Sequence, residues 1–494
     1  MAQWVEAKPR FFAGFIISQY ARVGTNNLIE YMMNLFRATG KIKAFFIVVI
    51  VVLVWLSAQL LAPGISNPPV TKAIIAPKAI TKILERSCYD CHSNETRLKW
   101  YDKIAPVSWK VASDVNVARS RLNFSEWDKL SVQDQETLLW EALNQMLSGN
   151  MPLKDYKFIH SEASISNEDL ELMKDYVNTL SNNRPFNDSF RDLSIKAAEA
   201  ELKQFQSSSN TSPDLIPVAL NGVKYITGYR KWQVISTTNR FDNNTIRIIY
   251  GNEIAVTAIR RNKVNSLPNG AEIVKVVWNK IEDKDGNINT GILGSVQIMI
   301  KDTKRFSKTG GWGFGFFNGL KLTPKGNNVS FETTCFNCHK QFTSDNGYLF
   351  NIPLKNSDLD PSSKSGIREM YDAGKLEVIS SSANRNDFTL SILYGNAQAL
   401  LSSMDSQGRH MAGEVLTLVT WHQVHNPRWY GSNLNGCIKS IETVNVLSGP
   451  DNSLRYEYSI KNDAAMGDSN ENYKERQERI YYIISRKPSV FPSK

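Results

Sequence analysis

At 494 residues the chain is too long for one ordinary hydrophobic core, so two or three domains are expected. A composition of 42% hydrophobic and 21% charged residues is that of a globular protein and excludes extensive disorder. The net charge of +10 gives little support to nucleic-acid binding: residues 1–43 concentrate Lys8, Arg10, Arg22, Arg37, Lys41 and Lys43 against Glu6 and Glu30, and no long basic run follows.

After this basic tail comes AFFIVVIVVLVWLSAQLLA, residues 44–62, without a formal charge. Its length suits a helix crossing the hydrocarbon core of a bilayer. A signal peptide cleaved near Ser57-Ala58 is the competing reading, but a leader of residues 1–43 is long for an n-region and no lipoprotein cysteine is present. An uncleaved anchor leaves the basic tail in the cytoplasm by the positive-inside rule and sends the rest outside. The expected location is a bacterial inner membrane, crossed once, with the domains that follow in the periplasm.

Four of the five cysteines fall in two copies of one pattern, CYDCH (Cys88, Cys91, His92) and CFNCH (Cys335, Cys338, His339). C-x-x-C-H is the attachment motif of c-type haem: two thiols bond the porphyrin and the adjacent imidazole becomes the proximal iron ligand. Zinc or thiol redox chemistry is the rival for a single copy. Two copies with the histidine in place, on an exported chain, point to two covalent haems. Cys437 stands alone and reads as an inert, half-buried thiol.

The motifs differ in their surroundings. CYDCH is followed by SEWDKLSVQDQETLLWEALNQMLSG, a helical pattern with Ser125 as expected N-cap. Beyond that helix stands Met151-Pro152, similar to the Met-Pro loop that supplies the second axial ligand in class I cytochromes c. His/Met ligation suits electron transfer, since no iron position stays open. A core methionine is the alternative, and His160 in KFIHSEA is the rival ligand or a surface histidine. Through CYDCHSNETR, IAPVSWKVASDVN, RLNFSEW, the Met-Pro element and IHSEASIS, residues 80–180 resemble the bacterial haem-binding domain family, which implies a haem and a helical fold.

The second motif follows a strand-rich stretch: RKWQVISTTN, NTIRIIYGNEIAV, AEIVKVVWNK, and GSVQIMIKD after the turn EDKDGN. Alternation places Val274, Val276 and Trp278 on one face, with Ile273, Lys275 and Val277 on the other. An edge-strand lysine reaching water is the plain reading of Lys275. With GGWGFGFFNG before TTCFNCHK, residues 220–350 resemble the cytochrome P460 and cytochrome c′-β family. The shared features are Trp232, the strand with Arg247, the N-G-x-x-x-V-K strand after Asn269-Gly270, and the IKD before Arg305-Phe306.

That resemblance implies a β-rich fold with a five-coordinate haem c. It gives Lys275 the place of a lysine cross-linked to the porphyrin and Arg247 that of a pocket arginine. Gln297 takes the place of the pocket glutamate, so a proton-accepting carboxylate is missing there. Trp312, Phe314, Phe316 and Phe317 are candidates for an apolar distal wall, with core packing as the alternative.

NDFTLSILYGN (386–396) and GEVLTLVTWHQ (413–423) echo NNTIRIIYGN and GAEIVKVVWNK, so 386–494 reads as a degenerate repeat. In it Leu418 stands for Lys275 and Ser391 for Arg247, and no C-x-x-C-H follows. His410, His422 and His425 read as structural or surface groups.

The expected architecture is α+β and multidomain. It comprises the tail 1–43, the span 44–62, a helical haem domain 65–190, a linker 191–213, a P460-like haem domain 214–352, a connector 353–385 and a haem-free β domain 386–494. The expected activity is oxidation of hydroxylamine or a related nitrogen species at the second haem, with electrons passing to the first and on to a redox partner protein or quinol-linked complex. Nitric-oxide capture and pure electron transfer are the alternatives.

Overall fold

The computed structural model describes residues 40–61, 63–182, 188–208, 216–326, 331–351, 370–405, 407–462 and 473–492. The expected basic tail lies, but for its last residues, outside them. Two compact units divide the chain: Met1–Ala76 with Leu84–Lys129, and Pro77–Ile83 with Leu130–Lys494.

The first unit begins with helix α1, Gly40–Leu60, of which Ile42–Leu60 is apolar and long enough to cross a membrane. Gln59 at its end is tied to the unit, donating to Ala105 O and accepting from Ala105 N at 2.9 Å. Helices α2 (Lys78–Ser87, counted in this unit from Leu84 on), α3 (Tyr89–His92) and α4 (Val107–Arg121) follow. Leu84, Val115 and Phe124 are buried. Arg119 fixes the loop after CYDCH, donating from Nε to Ser93 O at 2.7 Å and from Nη2 to Thr96 Oγ1 at 2.7 Å.

In the second unit helix α5 spans Val132–Leu147, capped by Ser131, whose side chain accepts from Asp134 N. This corrects the N-cap expected at Ser125, which instead accepts from Asn94 N at 2.9 Å within the first unit. Helices α6 (Lys154–Ile159), α7 (Asn167–Asn182) and α8 (Asp188–Ser208) come next. Much of the segment expected as linker is therefore helical, and Leu202 and Phe205 of α8 pack against the barrel core.

The rest is one sheet. Strands β1 (Gln233–Arg240) and β2 (Thr245–Gly251) lead through helix α9 (Glu253–Arg260) to β3 (Glu272–Glu282), β4 (Asn287–Lys301), β5 (Trp312–Asn318) and the short β6 (Thr323–Pro324). Helix α10 is Phe331–Thr343. Then β7 (Glu377–Asn384), β8 (Thr389–Gly395), helix α11 (Ala397–Ser403), β9 (Val415–His425), β10 (Ser432–Ser448), β11 (Leu454–Asn462) and helix α12 (Tyr473–Ile484) repeat the order.

Strands β1–β4 and β7–β10 pair edge to edge, β1 with β10 and β4 with β7, and the β3–β4 pairing closes the ring. Strand β5 branches from β4, and β11 from β10. The two halves match in detail. Both have a bulge in the first strand, at Val234/Ser236 and Val378/Ser380. Both cap the following helix with an asparagine, Asn252 accepting from Ala255 N and Asn396 from Ala399 N. The two halves share one sheet and one core: Ile246, Ile248, Val274, Val276 and Trp278 fill the barrel together with Leu390, Ile392, Val419 and Trp421. Closure leaves each half without a free main edge and encloses one apolar core inside the ring, while helices cover apolar side chains such as Ile249 and Ile273 on the outer face.

Candidate functional site

Alternation in β3 decides the site. With Val274, Val276 and Trp278 buried in the barrel, Ile273, Lys275 and Val277 face outward, where α9 and α10 cover the sheet. Lys275 pairs with Ile249 on β2 and with Gln297 on β4. It is a central residue of the haem-bearing half, not an edge lysine.

A small cleft of about 90 Å³ opens there, lined by Ile249, Lys275, Gln297, Phe314, Cys335 and His339 among others. Burial is the main cause that pushes the Lys275 ammonium down to about 7, with Arg247 and Arg240 adding to it. Arg247 is buried and its Nε donates to Thr245 Oγ1 at 3.1 Å; burial first, and Arg240 second, lower its pKa. Gln297 donates to Ser295 Oγ at 3.1 Å.

Helix α10 presents Cys335, Cys338 and His339. Nδ1 of His339 lies 2.6 Å from Tyr348 O. A carbonyl only accepts, so Nδ1 carries the proton and Nε2 keeps its lone pair for a metal. Burial drives the His339 imidazole down to about 4, which keeps it neutral. The loop that supplies Tyr348 O needs Gly347, whose φ is +61° and whose added Cβ would meet Val264 O at 2.1 Å. The rings of Phe350 and Phe314 stand 5.0 and 5.2 Å from His339.

CYDCH is built the same way inside the first unit. His92 Nδ1 is 3.0 Å from Leu122 O, again leaving Nε2 open, and burial lowers its pKa. Burial pushes the Cys88 and Cys91 thiols up to about 12 and about 11, so both are protonated. A thiol pair one turn before a neutral imidazole with an unblocked Nε2 fits a covalently held haem. Among the described residues no three His, Cys, Asp or Glu groups gather as a metal site would need.

Of the expected aromatic wall, Phe314 and Phe316 line the cleft, Trp312 packs into the core beneath it, and Phe317 points into the barrel. Leu349 and Phe350, just past the haem motif, also line the cleft and had no pattern to mark them. Met151 is half-buried in a shallow pocket with Met146 and Phe158, and its N–H donates to Gln145 O at 3.1 Å. His160 is 3% exposed, its ring stacked on Tyr156 at 4.3 Å. Elsewhere, Nδ1 of His410 meets Glu414 at 2.8 Å and Nδ1 of His425 meets Asn433 at 2.9 Å, consistent with structural roles.

In the other half the equivalent face bears Leu418, Ser391 and Glu442 in place of Lys275, Arg247 and Gln297. Glu442 accepts from Tyr458 at 2.7 Å and from Arg479 Nε at 2.8 Å. The cavity beside them measures about 1100 Å³, and His422 and several Ser and Thr hydroxyls line it.

A barrel whose outer face gathers a C-x-x-C-H helix, a lysine and an arginine defines a haem protein of the P460 type. The comparison with known families agrees: residues 226–351 match cytochrome P460, and residues 46–179, before them, match a haem-binding domain. The chain thus carries a region similar to each family, in that order. No curated protein matches it.

Proposed function

We propose that the chain is a membrane-anchored dihaem c-type cytochrome that oxidises hydroxylamine or a related small nitrogen species at the CFNCH haem and passes electrons to a His/Met haem at CYDCH. The observation that carries it is the cleft that holds Lys275, Cys335 and His339 together. Cys335 and Cys338 would hold the haem, His339 its iron, and Lys275 the porphyrin edge, by a cross-link when it forms. Bound there, the haem would supply the redox chemistry.

This chain's residues do the rest. Lys275, pushed down to about 7 by burial, has a neutral amine available as a nucleophile near neutral pH. Ile249, Phe314 and Phe316 keep the cleft apolar, which favours small neutral ligands. Tyr348 O fixes the His339 ring. Met151 is the proposed second ligand of the first haem, and α1 anchors the chain with the haem units in the periplasm. A redox partner protein or quinol-linked complex would take the electrons.

A second reading, nitric-oxide capture without turnover, is favoured by the absence of a carboxylate among the cleft-lining residues, where Gln297 stands. Steady-state assays with hydroxylamine separate the two. Turnover with reduction of the first haem is expected, and ligand binding without turnover would leave nitric-oxide capture as the function.

A further inference from the structure

Matching rows of residues cross the outer faces of the two halves. At the level of Lys275 they are Ser236–Ile249–Lys275–Gln297 and Ser380–Leu393–Leu418–Glu442. One step along the strands, the haem-bearing half runs Thr238–Arg247–Val277–Ser295. The haem-free half runs Ser382–Ser391–Thr420–Ser440 there, a hydroxyl from each of four adjacent strands. All four line the cavity of about 1100 Å³ on this half, and Ser391 Oγ stands 2.9 Å from Thr420 Oγ1.

Three polar atoms of residues lining this cavity are buried without a hydrogen-bond partner: Oγ of Ser380, Oγ of Ser381 and Nε of Arg486. Ser380 and Ser381 are 3% and 1% exposed. The matching serine of the haem-bearing half, Ser236, is satisfied, its hydroxyl donating to Asn435 Oδ1 at 3.0 Å. Ser489, just past Arg486, ties this stretch to the same wall. Its N–H donates to Ile379 O at 2.9 Å, and its Oγ accepts from Ser381 N at 3.4 Å. The Arg486 guanidinium donates to the Tyr482 hydroxyl at 2.5 Å and to Asn289 Oδ1 at 3.4 Å, but among the described residues it meets no carboxylate.

The carboxylates of the cavity are engaged elsewhere. Glu442 takes Arg479 and Tyr458, Glu199 takes Lys487 at 2.6 Å, and Asp283 takes the N–H groups of Asp285 and Asn287, while Asp387 lies exposed. The unmet groups are therefore a guanidinium N–H, which only donates, and two hydroxyls, which can donate. A buried donor without an acceptor is costly, and an oxyanion supplies the acceptor.

We propose that this cavity binds a small hydroxylated carboxylate, with its carboxylate at Arg486, Ser380 and Ser381 and its hydroxyls on the row Ser382–Ser391–Thr420–Ser440. A guanidinium suits a carboxylate by charge and by its planar fork of donors. Hydroxyls suit a ligand that both gives and takes hydrogen bonds. The volume is on the scale of sites for organic molecules rather than single ions. No lining residue is shared with the cleft of Lys275 and His339, so the proposal goes beyond the haem reading and does not rest on it.

The test is calorimetric titration of the full-length holoprotein with gluconate and with tartrate, and with glucose as the uncharged comparison. Saturable binding of at least one of the two acids is expected, at least tenfold tighter than that of glucose. Arg486→Gln is expected to weaken it at least tenfold with haem content and unfolding midpoint unchanged. Arg486→Lys, which keeps the charge, should lose less, and Ser380→Ala should weaken binding several-fold. Hydrogen exchange with the bound acid should slow in 379–391 and 481–490. Neither acid binding at millimolar concentration, glucose binding as tightly as the acids, or parent affinity in Arg486→Gln would each overturn the proposal. So would protection that falls only outside those two segments.

Discussion

Lys275 and Leu418 occupy the same register position in the two halves of one barrel. Lys275 lies between Ile249 and Gln297, and Leu418 between Leu393 and Glu442. The half that carries the haem motif sets an amine opposite an amide. The half without it sets an aliphatic chain opposite a carboxylate that Arg479 pairs with and Tyr458 hydrogen-bonds. The lysine is thus tied to the haem face and is not a general feature of the strand.

The ion pair in the haem-free half holds helix α12 on the sheet. Replacing Glu442 by Gln leaves Arg479 without its charge partner. The expected cost is about 2–3 kcal/mol, below the roughly 3–5 kcal/mol of a fully buried pair, because the Arg479 side chain is 39% exposed. Denaturant unfolding of Glu442→Gln, Arg479→Met and the double variant measures it. The double variant is expected to lose less than the two singles summed.

The barrel core is shared, so a truncation at its centre destabilises both halves at once. Phe491 is 1% exposed and stands edge-on to Trp278 at 4.9 Å, and Trp278 Nε1 donates to Val490 O. Phe491→Ala is expected to cost about 3–5 kcal/mol. Barrel fluorescence and secondary-structure signals should still unfold in one coincident transition; two separated transitions would show halves that fold alone.

Lys280 gives stability a pH dependence. It is 8% exposed, and its ammonium is pushed down to about 7, first by burial, against the pull of Glu282 and Asp242 and with the push of Arg240 and Arg247. In the unfolded chain it titrates near 10.5. Between those values the unfolded state binds the extra proton, so stability rises with pH from about 7 to about 10.5. The penalty is complete below that window and absent above it. Lys280→Met should flatten this part of the profile in a denaturant series, and an unchanged slope would contradict the assignment.

On the proposed dihaem reading, the two haem sites are expected to load separately. Cys335→Ala with Cys338→Ala should lower the intact mass by the second haem and leave the CYDCH haem attached; Cys88→Ala with Cys91→Ala should do the converse. Intact mass spectrometry reads both.

Much of this was legible in the chain. The two C-x-x-C-H motifs are contiguous, and the alternation in EIVKVVWNK assigns Lys275 to the face opposite Trp278. Three features were not. Strand β7 lay inside the expected connector, because VISSS carries its burial in small hydroxyl residues rather than in an apolar alternation. Closure of the two halves into one ring depends on the pairings Asn239–Asn433 and Ile288–Ala383, which no local pattern announces. Helix α8 was read as linker because its sequence is polar along most of its length, although Leu202 and Phe205 seat it on the barrel.

The central claim is that a P460-type haem is held on the outer barrel face by a cross-link to Lys275. Tandem mass spectrometry of the proteolysed holoprotein tests it most directly. The account predicts a species in which the peptide containing Lys275 is joined, through haem, to the peptide containing Cys335 and Cys338. Haem held by the two thioethers alone, with the Lys275 peptide recovered free, would contradict it.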